Sequence, residues 1–188
     1  RSNYLNQLTA LRVLENIEEN SLTPQMVIPF LKSGNTILEN EARKIISRNI
    51  EWKNEVLNIF DELIKKSQLS DDENQLAESI ILEYTDDSNF ENKLTNLING
   101  PESTNATTLN SLRVLAIIEK FSPPIRSAIE SKLFSDSPKV RNQTISLLAK
   151  FPPSENACEK LFEIANNEEN ASQIRVMALE AITKKTKS

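Results

Sequence analysis

A short apolar phrase with an arginine at a fixed place recurs along this chain of 188 residues. The copies are Leu11-Arg12-Val13-Leu14, Leu112-Arg113-Val114-Leu115, Ile174-Arg175-Val176-Met177 and the shorter Val140-Arg141. Each copy lies early in a stretch whose apolar residues have helical spacing. A basic residue that returns at one position of successive helices predicts stacked helical hairpins. Such a pattern constrains the architecture and leaves the activity open.

The apolar periodicity marks eleven segments, which we interpret as pairs of consecutive helices. The predicted pairs are 4–19 with 23–33, 38–49 with 51–67, 72–85 with 88–99, 106–121 with 123–134, and 138–151 with 154–167, followed by an unpaired helix 172–184. We expect Pro29 to kink its helix and Gly34 to end it in a left-handed conformation. Asp71-Asp72 and Asp86-Asp87-Ser88 are interpreted as capping groups of the next helices.

The composition favours an all-α fold independently of this pattern. Only two glycines occur, whereas sheet proteins and phosphate-binding loops need more residues without a side chain. Aromatic residues make up 5%, so the core must consist mainly of leucine, isoleucine, valine and alanine. We interpret the breaker cluster at 99–104 as a loop between repeats in preference to a hinge between domains.

The matching arginines give the length of the repeat. Arg12 and Arg43 are 31 residues apart, Arg113 and Arg141 are 28 apart, and Arg141 and Arg175 are 34 apart. Two helices in about 30 to 35 residues are typical of an α-solenoid. We therefore predict one domain over 1–188, a right-handed superhelical α-solenoid of about five to six antiparallel helix pairs. Its repeats are 4–34, 37–67, 71–100, 105–134, 137–168 and an incomplete 171–188.

The segment Asp136-Ser137-Pro138-Lys139-Val140-Arg141, followed by Ile145, Leu147 and Leu148, resembles a HEAT repeat. In that armadillo-type family an Asp and a Pro precede the first helix, a Val-Arg pair opens it, and the Asp reaches arginines of adjacent repeats. The resemblance implies that Asp136, Arg141, Arg175, Arg113, Arg43 and Arg12 mark the repeats and pair within or between them, and the alternative for the arginines is a row of contacts to anions. It is sharp over 133–184 and looser elsewhere, and the copies at Arg12, Arg113 and Arg175 lack the Asp, so armadillo-like or generic helical-hairpin repeats stay open.

Side chains for catalysis or metal binding are scarce. The chain contains no histidine, the commonest general base and metal ligand. Its one cysteine, Cys158, has no partner in the chain for a disulfide or a zinc site and has the helical spacing of a small buried residue. The acids near Asp71 and Asp86 lack the glycine and the alternation of a calcium loop. We therefore expect no enzyme activity, no metal and no cofactor.

The charge is −5 and is unevenly distributed. Residues 1–94 carry a net charge of −7, and residues 95–188 carry +2. A field of this sign over half of the chain argues against nucleic acid as the partner, because phosphate neutralisation dominates such binding. Lys184, Lys185 and Lys187 form the only basic tail, which we interpret as a solvated end. No run of 18 apolar residues occurs, so we expect no membrane span.

A stack of helix pairs without catalytic groups is typical of a scaffold that binds other proteins. We expect the partner to contact the outward residues of the second helices, and the candidates are Lys53, Asp61, Lys93, Arg126, Glu130 and Lys160. Two other functions stay open: a HEAT-like enzyme of the DNA-glycosylase or lyase type, and nucleic-acid binding through the C-terminal half. Because helix 172–184 has no partner helix, we expect a longer parent protein or another chain to cover Val176, Met177, Leu179 and Ile182.

Overall fold

The computed structural model describes residues 3–17, 22–85 and 87–185, and these residues contain helices and loops without any strand. The predicted all-α class is therefore confirmed. Residues 1–85 and 86–188 form two compact units, which we describe separately. The arrangement of residues 1–188 as a single solenoid stays a prediction. The end of the predicted helix 4–19 and Lys187 lie outside the described residues.

The first unit contains five α-helices and two 3₁₀ turns among its described residues. They are α1 (Asn3–Ile17), α2 (Pro24–Val27), a 3₁₀ turn (Ile28–Lys32), α3 (Thr36–Arg48), a 3₁₀ turn (Ile50–Trp52), α4 (Lys53–Ile64) and α5 (Asp71–Tyr84). Helix α3 packs against α1, α2 and the first 3₁₀ turn, and α5 packs against that turn and α4. The largest fully buried side chains of the core here include Phe60, Ile45 and Ile80.

Proline and glycine shape the second segment of this unit. Pro24 is at the start of α2, where its missing N–H costs nothing. At Pro29 the predicted kink takes the form of a change from α to 3₁₀ geometry, which starts at Ile28. Gly34 then adopts φ +71°, the left-handed conformation predicted for it. Asn35 caps α3, because its side-chain oxygen accepts hydrogen bonds from the backbone of Ile37 and Leu38.

The cap of α5 differs from the prediction. The residue that caps this helix is Ser70, whose hydroxyl accepts from the Glu73 N–H at 3.3 Å while the Glu73 carboxylate accepts from the Ser70 N–H at 2.9 Å. This reciprocal pair is a capping box. Asp71 and Asp72 lie one and two residues further on, in the first turn. Ser70 caps the helix because it lies just before the first helical residue and its short side chain reaches a free N–H group of the first turn.

The second unit contains six α-helices and two 3₁₀ turns among its described residues. They are α6 (Ser88–Asn99), α7 (Asn105–Val114), a 3₁₀ turn (Leu115–Ile117), α8 (Pro123–Ser131), a 3₁₀ turn (Lys132–Phe134), α9 (Pro138–Leu148), α10 (Glu155–Asn166) and α11 (Ser172–Lys185). Helix α6 has the predicted bounds, and its cap is the predicted Asp87. The predicted helix 123–134 ends in a 3₁₀ turn, whereas 106–121 passes into a 3₁₀ turn at Leu115 and is no longer helical over residues 118–121.

The helices of the second unit contact one another in an alternating order. Helix α9 packs between α7 and α11, whereas α8 packs on α6 and its 3₁₀ turn packs on α10. Successive helices α6 and α7, α8 and α9, and α10 and α11 also contact each other. The loop 99–104 lies within this unit, where the Ser103 hydroxyl donates to the Leu97 carbonyl at 2.6 Å. It joins α6 to α7, as expected for a loop between helices.

Candidate partner-binding groove

The predicted partner-facing residues lie on four different helices. Lys53 is the first residue of α4, and Asp61 on the same helix pairs with Lys65 at 2.7 Å. Lys93 is half-buried on α6. The remaining three, Arg126, Glu130 and Lys160, lie on α8 and α10. The structure therefore places half of the predicted set on one pair of neighbouring helices in the second unit.

A groove runs between α8, with its 3₁₀ turn, and α10. Glu130 connects the two sides, because its Oε1 accepts from the Ser154 N–H at 2.8 Å and its Oε2 from the Ser154 hydroxyl at 2.6 Å. One cavity of about 330 Å³ is lined by Phe134, Asp136, Arg141, Lys160 and Glu163, among others. A second cavity of about 230 Å³ is lined by Ser127, Glu130, Ser131, Phe134, Asn156 and Ala157. Phe134 belongs to both, so its ring separates the two halves of the groove.

Phe134 is the most prominent apolar group of this groove. Its residue is 55% exposed, whereas the preceding Leu133 is fully buried. The Lys160 ammonium lies 5.5 Å from the centroid of the Phe134 ring, which is within the range of a cation–π contact. The same ammonium donates to Oε2 of Glu163 at 2.7 Å. An aromatic face with a cation and a carboxylate beside it can bind an apolar side chain and a polar neighbour together.

Charged side chains border Phe134 on the side of α9. Arg141 donates from Nη1 to the Ser135 carbonyl at 2.8 Å, and this bond fixes the guanidinium beside the 3₁₀ turn. Asp136 is exposed and lines the larger cavity together with Arg141. Partial burial lowers the pKa of Lys132, because desolvation disfavours its charged form. Arg126 is half-buried on α8, and its Nε has no hydrogen-bond partner among the described residues.

The arginines of the repeat pattern have different partners. Arg12 on α1 contacts Glu41 on α3 through two bonds, Nε to Oε1 at 2.8 Å and Nη2 to Oε2 at 3.3 Å. Arg43 on α3 lies 3.6 Å from the Glu83 carboxylate on α5. Arg175 donates to the Ala165 carbonyl at 3.0 Å, which ties α11 to the end of α10. Arg113 is exposed on α7.

The ladder implied by the HEAT resemblance places an Asp against arginines of adjacent repeats. In this chain the arginines make different contacts, since Arg141 donates to a backbone carbonyl and Arg12 and Arg43 pair with glutamates. The two glutamate pairs join α1 to α3 and α3 to α5, so in each the arginine and its acid come from different helices. A connection of this kind between helices needs only a carboxylate at the right place on the neighbouring helix.

Sequence reasoning did not identify Phe134. Leu133 and Phe134 are adjacent apolar residues at the end of a helical pattern, and the pattern alone does not say which of them is buried. The 3₁₀ turn Lys132–Phe134 determines which of the two is buried, because a tighter helix changes the direction of successive side chains. The proline of Asp136-Ser137-Pro138, which begins α9, was the available signal that the preceding helix had to end nearby.

The described part of the chain contains neither a group of metal ligands nor a membrane-spanning helix. Residues 3–17, 22–85 and 87–185 contain no group of three or more Asp, Glu, Cys or His placed to hold a metal ion. Within the same ranges no helix combines the length and the apolar content needed to cross a membrane.

Comparison with protein-family models, with curated proteins and with solved structures found no match to this chain. The resemblance to HEAT repeats therefore depends on the residues of the chain itself and stays a prediction.

Proposed function

We propose that this chain is a HEAT-like α-solenoid scaffold that binds a protein partner in the groove around Phe134. The alternating contacts in the second unit support the solenoid part of this proposal. Helices α7, α9 and α11 would form one row and α6, α8 and α10 the other, since α9 contacts both α7 and α11 while α8 and its 3₁₀ turn contact α6 and α10. Stacked helix pairs have this arrangement.

Hydrogen bonds between neighbouring helices of a row support the predicted repeat length. Ser122, the N-cap of α8, donates to Glu91 on α6, 31 residues earlier. Near the other end of α8, Ser131 donates to Asn99 at 3.0 Å over a separation of 32 residues. In the other row, Lys150 donates to the Ala116 carbonyl at 2.8 Å over 34 residues. These separations agree with the spacing of the arginines that predicted the repeat.

The exposed ring of Phe134 is the observation that carries the binding proposal. Soluble proteins bury most large aromatic side chains, and aromatic residues are enriched in protein interfaces. Phe134 instead lies between two cavities with a cation 5.5 Å from its centroid. An apolar side chain of a partner segment would cover the ring, and its neighbouring polar groups would meet Lys160, Glu163 and Arg141.

A peptide or an exposed loop fits this groove better than a small metabolite. Both cavities are open to solvent. The lining of the larger one mixes apolar, amide and charged groups of both signs, and that of the smaller one mixes apolar, hydroxyl and amide groups with the carboxylate of Glu130. Ligand sites for small molecules are mostly enclosed and apolar with a few convergent polar groups. An elongated groove with one aromatic anchor is typical of the recognition of a polypeptide segment.

Selection from a displayed library of random peptides on the intact chain tests the proposal. We expect peptides with an apolar anchor residue to be selected and to bind the wild-type chain. The variant Phe134→Ser should weaken their binding by about tenfold or more, since truncation of an anchor residue costs at least about 1.4 kcal/mol.

The matched control is Leu82→Ser, which removes another exposed apolar side chain, on α5. It should change the affinity less than about twofold, because an isolated surface residue contributes little. Failure to select any peptide, or selected peptides that bind wild type and Phe134→Ser equally, would contradict the proposed function. Unchanged circular dichroism and melting temperature show that each variant is folded.

A further inference from the structure

Helices α10 and α11 contact neighbouring elements and also carry exposed apolar side chains. Helix α9 packs on α11, and the 3₁₀ turn after α8 packs on α10. Phe162 is 60% exposed on α10, and Val176 and Leu179 are 53% and 49% exposed on α11. We call Phe162, Val176 and Leu179 the end face. Lys160, which lines the groove, is two residues from Phe162 and therefore lies nearly opposite to it around α10.

Two of the three corresponding positions in the preceding helix pair, those of Leu179 and Phe162, are buried or make a contact between helices. Arg141 and Arg175 occupy matching places in α9 and α11, so Leu179 matches Ile145. Ile145 is 1% exposed in α9, which has a helix on either side, whereas Leu179 is half exposed in α11. A bulky apolar residue is therefore kept at a position that is buried when a further helix lies beside it.

The same comparison holds for α8 and α10. Ser122 and Ser154 are their N-caps, so Phe162 in α10 matches Glu130 in α8. Glu130 accepts two hydrogen bonds from Ser154, which is the N-cap of α10. Helix α8 thus contacts α10 through the position of Glu130. At the matching position, α10 has the aromatic ring of Phe162 instead of a carboxylate.

The border of the end face is acidic. Glu155 and Glu159 precede Phe162 on the same side of α10, and Glu180 follows Leu179 on α11, all of them exposed. Residues 155–183 contain six carboxylates and two basic residues. Those two are already engaged, because Lys160 donates to Glu163 and Arg175 to the Ala165 carbonyl. Lys184 and Lys185 follow in the last turn of α11, with side chains outside the described part.

We propose that the end face binds an amphipathic helix of a partner protein, whose apolar stripe is flanked by lysine or arginine. The helix would lie against α10 and α11 as α11 lies against α9. An apolar stripe would cover Phe162, Val176 and Leu179, and the basic flanks would meet Glu155, Glu159 and Glu180. A second copy of this chain fits less well, because two such faces would bring like charges together. This site is separate from the groove around Phe134, and the matching of positions between helices rests on the proposed stacking of helix pairs, whereas it does not depend on binding in the groove.

Two synthetic peptides of about 18 residues, or five helical turns, test this inference on the intact chain. Both have leucine at the same positions of one face, and the remaining positions are lysine in one peptide and glutamate in the other. Fluorescence anisotropy should show that the lysine peptide binds at least about tenfold more tightly, since its charges complement the acidic border. The double variant Phe162→Ser, Leu179→Ser should weaken that binding about tenfold, and Phe134→Ser should leave it unchanged within about twofold.

The following results would contradict the inference. Equal binding of both peptides would show that charge complementarity is absent, and equal binding to wild type and the double variant would place the peptide elsewhere. Light scattering after gel filtration provides the check on self-association. A dimer that the double variant abolishes would identify a second copy as the occupant and contradict the proposal. Because Phe134, Phe162 and Leu179 are all exposed, serine at these positions should leave the melting temperature nearly unchanged.

Discussion

The Glu130 carboxylate at the end of α8 accepts two hydrogen bonds from Ser154, one from its backbone N–H at 2.8 Å and one from its hydroxyl at 2.6 Å. Ser154 is also the N-cap of α10, because its Oγ accepts from the Ala157 N–H at 3.3 Å. A carboxylate beside a helix N-terminus is stabilised by the free N–H groups and by the helix dipole. One glutamate of α8 therefore fixes the start of α10.

Glu130→Ala should lower the free energy of unfolding by about 1 kcal/mol, since two bonds to a charged acceptor are lost at a partly exposed site. Urea denaturation followed by circular dichroism measures this change. Glu159→Ala on the outer side of α10 is the matched control and should stay within about 0.5 kcal/mol of wild type. If both variants lose the same stability, the contact with Ser154 does not contribute in the way described.

The pair Arg12 and Glu41 predicts a shifted titration. The side-chain hydrogen bond from Arg12 holds the pKa of the Glu41 carboxyl below its usual value, with further lowering by the charges of Arg12, Lys44 and Arg48. Arg12→Met should therefore raise the pKa of Glu41, as followed by NMR titration of its side-chain carboxyl carbon. Because Arg12 is 55% exposed, we expect a stability loss of at most about 1 kcal/mol, and less at high salt. An unchanged pKa of Glu41 in Arg12→Met would show that the pair does not form in solution.

The capping box of α5 predicts a dependence of stability on pH. Hydrogen bonds from the Lys66 ammonium and the Ser70 backbone lower the pKa of Glu73 from 4.5 to about 2. A carboxyl whose folded-state pKa is lowered stabilises the fold above its unfolded-state pKa, and this stabilisation is lost as the pH falls from 4.5 toward 2. Wild type should therefore be more stable than Glu73→Gln at about pH 6, and the difference should shrink as the pH falls toward about 2.5.

Urea denaturation of both proteins across this pH range is the measurement. The pair is at the surface, so added salt should reduce the difference at the higher pH. A difference between wild type and Glu73→Gln that stays constant down to the lowest pH would contradict a pKa of about 2 for Glu73.

The two glycines predict different responses to substitution. A Cβ on Gly100 would lie 2.4 Å from the Asn96 carbonyl oxygen, the atom to which the Gly100 N–H donates at 2.7 Å. Gly34 has open space around such a Cβ and needs glycine because of its φ of +71°. Gly34→Asn should restore most of the stability that Gly34→Ala loses, since asparagine tolerates the left-handed region.

At Gly100 both alanine and asparagine should cost about 1 to 3 kcal/mol, because each adds the same Cβ in the occupied space. Thermal denaturation of the four single variants measures these differences. A rescue of Gly100 by asparagine, or none for Gly34, would contradict these assignments.

The helices and their order could be predicted from the sequence because apolar spacing and capping residues are local signals. Helix 88–99 has the predicted bounds, and Gly34 ends its segment as expected. Asp71 and Asp72 lie in the first turn of α5, where the helix dipole favours acids, but the residue that caps the helix is Ser70, because acids and serine all favour helix N-termini. The 3₁₀ endings could not be predicted because they depend on how the chain enters the next helix.

The candidate groove was only partly predictable for a related reason. Glu130 and Lys160 were predicted to face a partner because the second helix of each pair was assumed to lie on one surface. Both residues line the groove. The anchor Phe134 needed the direction of one side chain at a helix end, and apolar periodicity does not supply that direction. Phe162 belongs to the apolar pattern of its helix, although its ring is exposed.

Mapping of amide chemical shifts in the intact ¹⁵N-labelled chain tests the proposed groove most directly. A peptide selected on the wild-type chain is added, and the shifted amides are located in the structure. We expect the largest shifts to cluster around Phe134, at the 3₁₀ turn Lys132–Phe134 and along α10 near Lys160, and we expect Phe134→Ser to abolish them at the same peptide concentration. Shifts that cluster away from α8 and α10, or that persist in Phe134→Ser, would contradict it.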